Sequence, residues 1–88
     1  MEVIEQIDMI QKDIFDFRVQ LLPEQVSNLM SAIIEQGLIP LQEASKIQYF
    51  NQILQGCLQA MQNRDYLLLA DLLEFKLKKL LHMHLEVN

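Results

Sequence analysis

Residues 1–22 read MEVIEQIDMIQKDIFDFRVQLL, and their spacing decides the class of fold. Val3, Ile7, Ile10, Ile14, Phe17 and Leu21 follow one another at alternating steps of four and three. A helix turns once in about 3.6 residues, so this alternation draws one apolar seam along it, whereas a strand would need a period of two. Phe15, Val19 and Leu22 widen the seam at its end, as in a helix packed into a bundle. The other positions are almost all charged or amide.

Pro23 ends or kinks this first helix, because proline drives the residue before it out of helical geometry, which makes Leu22 the expected last position. Proline also suits the first turn of the next helix, where Glu24 meets the positive end of the dipole. Val26, Leu29, Met30, Ile33 and Ile34 form the apolar face of that second helix. Gly37 ends it in a left-handed cap that lets Leu38 fold back on Ile33. Pro40 opens the third helix, with Glu43 in its first turn. Its expected core face is Ile47, Phe50, Leu54, Cys57 and Met61. Gly56, with Ala60 one turn on, marks a place where another helix comes close. Asn63 or Asp65 caps the fourth helix. That helix is apolar nearly all round from Tyr66 to Leu73, with Asp71, Glu74 and Lys78 as its polar line, so it should be central or covered by a partner. The expectation is an all-α antiparallel four-helix bundle, with helices near 2–22, 24–36, 41–62 and 65–85, forming one domain over residues 1–88.

Composition agrees. Apolar residues make up 51% of the 88, with two Gly and two Pro, so a small core is attainable and disorder is not expected. Residues 1–45 hold eight acids against Lys12 and Arg18, and residues 46–88 hold four acids against five bases. An acidic first half without a basic stripe argues against nucleic acid as a partner. A single cysteine, Cys57, fits a reducing compartment, and neither a leader pattern nor a membrane-length apolar run is present, so the expected location is the cytoplasm, away from membranes.

Residues 48–62 read QYFNQILQGCLQAMQ, where Gln48, Gln52, Gln55, Gln59 and Gln62 fall in one helical stripe. A solvated face accounts for such a stripe, since glutamine is a good helix former, and is the favoured reading. The alternative is a contact face, since an amide is easier to desolvate than a charge yet still donates and accepts hydrogen bonds. The contact would place Gln52, Gln55 and Gln59 at the rim and Leu68, Leu72 and Phe75 beneath the partner.

Candidates for chemistry are few. His82 and His84 stand two apart and point away from each other on a helix, so they do not chelate one metal there. Cys57 lies on the core face with no nearby base to activate it. Asp13 with Asp16, and Asp71 with Glu74, share helix faces but sit among solvated positions, where nothing drives their pKa values apart. No phosphate loop is possible with two glycines. The expectation is no enzyme, no metal and no cofactor, with a protein partner or a second copy as the ligand. The alternatives are a structural homo-oligomer, and a small enzyme or metal protein built on Cys57, His82 and His84.

Residues 60–77, AMQNRDYLLLADLLEFKL, resemble a segment of small uncharacterised helical proteins of Gram-positive bacteria, in which an alanine-led helix end, an Asn/Asp turn and a DYxLLADLLE run recur. Asp65, Tyr66, Asp71 and Glu74 are its most distinctive members here. The overall plan also resembles flagellar and secretion chaperones, acidic helical bundles that hold a subunit's helix before export. The second resemblance implies a protein-binding role; neither implies a catalytic residue.

Overall fold

The computed structural model describes residues 2–40 and 42–86, with side chains described through His82. Among them the regular structure is entirely helical: α1 (Val3–Phe15), α2 (Leu22–Glu35), α3 (Ala44–Gln62) and a C-terminal rod. The rod runs without a break through α4 (Tyr66–Asp71), a π-helical stretch (Leu72–Leu77) and α5 (Lys78–Glu86). The rod lies at the centre, with α1 and α3 packed against it and α2 resting chiefly on α1.

The seam of α1 buries as the spacing predicts, with Val3, Ile7, Ile10 and Ile14 all 4% exposed or less. It stops early, however. The helix ends at Phe15 rather than Leu22, leaving Phe15, Phe17 and Leu21 exposed. The reason is connectivity: α2 already begins at Leu22, with Pro23 in its first turn, so a helix running to Leu22 would leave no residues for the reversal. Leu22 is buried as the first residue of α2, not the last of α1. The second helix otherwise lies close to its expected span, except that Ile34 stays exposed.

Three helix ends share one geometry. At Gly37, φ is +66°, and the Gly37 and Leu38 amides donate to Ile34 O and Ile33 O at 3.1 Å each. This is the predicted left-handed cap. The same pair of bonds closes α1 around Phe17 (φ 60°) and α3 around Arg64 (φ 55°). A side chain costs about 1–2 kcal/mol in that conformation. Phe17 is 89% exposed, so its ring buries almost nothing in exchange. Phe17→Gly should therefore raise stability by up to about 1 kcal/mol, after allowing for glycine's freer unfolded chain. Urea denaturation measures this, and an unchanged or lower midpoint would contradict the strain.

Two further expectations shift. The third helix starts at Ala44, three residues after the expected 41, with Glu43 as its flanking residue and Glu43 Oε2 paired to Lys46 Nζ at 3.0 Å. Its inward face is rotated from the expected one. Phe50 and Cys57 are buried, but Ile53 and Ala60 join them while Ile47, Leu54 and Met61 are only half-buried. The rod packs on the side of α3 carrying Gly56, which turns the helix towards that flank. Asp65 is the cap of α4, its Oδ1 accepting from the Leu68 amide at 3.1 Å. In the π-helical stretch the Lys78 amide reaches back five residues to Leu73 O. A leucine-rich sequence apolar on most sides carries no periodic signal for such a stretch.

Candidate functional site

Gly56 decides how α3 meets the rod. A Cβ placed there would lie 3.2 Å from Leu72 Cδ1, so the tip of the rod's Leu72 side chain rests against the bare glycine. Around this crossing stand the residues that the sequence singles out. Gln52 and Gln59 lie one turn to either side of Gly56, and Gln55 immediately precedes it; all three are exposed. On the rod, Leu68 lies one turn before Leu72 and Phe75 nearly one turn after. Leu68 is 44% exposed and Phe75 65% exposed, whereas Leu72 is half-buried against α3. The result is a surface of amide groups on one helix and exposed apolar side chains on the next.

Leu67, at 69% exposed, is a member the spacing did not single out. A signal for it existed in the polar line Asp71, Glu74 and Lys78, which runs along the edge of the rod beside α1. Leu67 stands four residues before Asp71 and so lies on that line. Leu69, Ala70, Leu73, Leu77, Leu80 and Leu81 take the inward positions and are buried.

The polar line itself is a clamp between α1 and the rod. Lys78 Nζ donates to Asp8 Oδ1 at 2.7 Å and to Glu74 Oε2 at 2.9 Å. Gln11 Nε2 donates to the same Glu74 oxygen at 2.8 Å. The hydrogen bond from Gln11, then that from Lys78, holds the Glu74 carboxyl below its ordinary value. Partial burial pulls the Lys78 ammonium down, but its bonds to Asp8 and Glu74 outweigh this and leave it raised. Glu74 thus favours its charged form, the opposite of what a general acid needs. Its contribution to stability holds above its unfolded pKa and is lost as pH falls through the lower folded value.

The remaining candidates are separate. Asp71 is exposed on the rod, and Asp13 accepts from Gln25 Nε2 at 2.8 Å while Asp16 is exposed at the end of α1. Cys57 is fully buried, and burial pushes its thiol up to about 11, so it rests as the unreactive S–H. His82 is exposed, and the His84 side chain lies outside the described residues. Among the described residues no three His, Cys, Asp or Glu side chains gather closely enough to hold a metal ion. Nor is any described helix long and apolar enough to cross a membrane. Compared with protein-family models, curated proteins and solved structures, the chain has no match.

Proposed function

We propose that this chain is a non-catalytic protein-binding module, an antiparallel four-helix bundle acting as an adaptor or in a chaperone-like way. The observation that carries the reading is the α3–rod surface, where Leu68 and Phe75 remain exposed beside an uncharged amide stripe. Large apolar side chains in company at a surface, rimmed by groups that desolvate easily, suit a protein contact. The antiparallel arrangement draws support from Asp8 meeting Lys78 while Gln11 meets Glu74, which sets α1 and the rod in opposite directions. The same holds for α1 and α2, since Asp13 near the end of one meets Gln25 near the start of the other. A lone buried thiol suits a reducing compartment, and we place the module in the cytoplasm.

Gln55→Lys combined with Gln59→Lys tests the surface without threatening the fold, since both side chains are exposed. An interface would have to desolvate or repel two ammonium groups, so association should weaken several-fold or more. Light scattering reports contact with a second copy, and a pull-down reports contact with another protein. If oligomeric state and captured proteins are both unchanged, the stripe is plain solvated surface and the proposal fails.

A further inference from the structure

The surface between α3 and the rod differs from the rest of the molecule in its charge. The chain has 12 acids against seven bases, yet none of those acids lies in the 19 residues of α3, whose one charged side chain is Lys46. Glu43, just before α3, pairs with Lys46 at 3.0 Å. On the rod, Glu74 and Lys78 are committed to the clamp with α1. Lys76 and Lys79 are exposed, and neither forms an ion pair with a described residue. Asp71 stands about two turns before Lys79, towards the other end. In an acidic chain, this end of the surface is basic.

Two places where α3 and the rod meet give the surface a direction. At one, the tip of Leu72 rests against Gly56. At the other, Ser45, Lys46 and Tyr49 of α3 line a hollow of about 460 Å³ together with Lys79 and Leu80 of the rod. Between them Ser45, Tyr49, Gln52 and Gly56 share one stripe of α3, at steps of four, three and four. Along the rod, exposed Leu68 and Phe75 stand to either side of Leu72, and Lys79 follows about a turn beyond Phe75. The surface is thus amide and apolar over most of its length and basic where it ends. From Leu68 to Lys79 the rod rises about 16 Å, roughly three helical turns.

We propose that this surface takes a short amphipathic helix of a partner protein, one end of which is acidic. Its apolar side chains cover Leu68, Leu72 and Phe75, and its carboxylates enter the hollow beside Lys46 and Lys79. The assignment rests on the α3–rod reading and adds the chemistry of the partner. A helix of this length offers apolar anchors about three, four and seven residues apart, which matches an elongated apolar surface. In the hollow, carboxylates accept from the lysine ammonium groups and from the Ser45 and Tyr49 hydroxyls. A basic segment would be repelled there and drawn instead to residues 1–45, with their eight acids and two bases.

The experiment uses the full chain as bait for a display library of randomised helix-forming peptides. Enriched sequences should carry Leu, Ile, Met or Phe at helical spacing, with Asp or Glu gathered at one end. With Lys76→Glu and Lys79→Glu combined in the bait, that end should change to Lys or Arg. Peptides selected on the parent should then bind about tenfold more weakly. Phe75→Ser should weaken every enriched peptide yet melt like the parent, because Phe75 is 65% exposed. Peptides without an acidic end that Phe75→Ser still releases would overturn the charge assignment and leave the surface standing as a protein contact. Acidic peptides indifferent to Phe75→Ser and to the glutamine double variant would overturn the surface itself. An empty selection would overturn both. Anionic vesicles or an oligonucleotide bound more tightly than any peptide, and released by the lysine reversals, would overturn the assignment to a protein segment. Self-association in light scattering that the same reversals abolish would overturn it in favour of a second copy.

Discussion

Ile7→Asp should remove a large part of the protein's stability at neutral pH. Ile7 is 0% exposed on α1, the helix that packs against both α2 and the rod. A carboxylate there forfeits the isoleucine's packing and enters an apolar site with no partner designed for it. For a chain of this size total stability is on the order of 4–13 kcal/mol. A buried unpaired charge belongs to the class of substitutions that remove more than about 4 kcal/mol. The damage should depend on pH with a definite sign. Burial raises the folded-state pKa of the new carboxyl above its unfolded value of about 3.9. The ionisation penalty is therefore absent below that value and grows as pH rises towards the folded pKa. Circular dichroism and thermal melts from pH 3.5 to 7 measure both effects, with Ile7→Val, costing about 0.5–1.5 kcal/mol, as the control. A variant that melts like its parent at pH 7 would mean α1 is not docked.

The second large effect belongs to Gly56. Gly56→Leu must place a branched side chain where Leu72 Cδ1 already lies 3.2 Å from the first carbon. The α3–rod crossing has to open or Leu72 has to leave its site, a loss of about 1–3 kcal/mol or more. Gly56→Ala is the informative comparison. Its methyl meets only the tip of a flexible side chain, and the helix gains about 1 kcal/mol of propensity, so the net change should be small. Gly56→Leu combined with Leu72→Ala should recover much of the loss, since the two positions share one space and their effects do not add. Urea midpoints of the parent, the two glycine variants, Leu72→Ala alone and the double variant decide this. Full additivity would show that α3 and the rod do not meet at Gly56.

The seam of Val3, Ile7, Ile10 and Ile14 was legible because burial along a helix imposes a period that local sequence must repeat. Pro23, Gly37 and Asp65 were legible for a related reason: each suits one backbone position through its own covalent chemistry. The same is true of Gly56, whose missing side chain announced a close approach before any neighbour was known. The amide stripe could be named from spacing, and Gln52, Gln55 and Gln59 are exposed, whereas of the three apolar residues named with them Leu68 and Phe75 are exposed and Leu72 is half-buried against α3.

Phe17 shows where such reading stops. It continues the heptad as well as Ile14 does, yet the chain turns back before reaching it, and Phe17 takes a left-handed conformation in solvent. No local rule distinguishes the two residues; the length of connector needed to reach α2 does. Ile53 and Ala60 replaced Leu54 and Met61 in the core because the rod's position sets the rotation of α3, and that position is a property of the whole packing. The π-helical turn and the hollow lined by Lys46 and Lys79 are also products of helices meeting. The sequence by itself determined which segments are helices and most of the residues they bury, because propensity and periodicity act over a few neighbours. The tertiary structure decided where the helices end, how each is turned and which polar groups meet across them, because those depend on residues far apart in the chain competing for the same space.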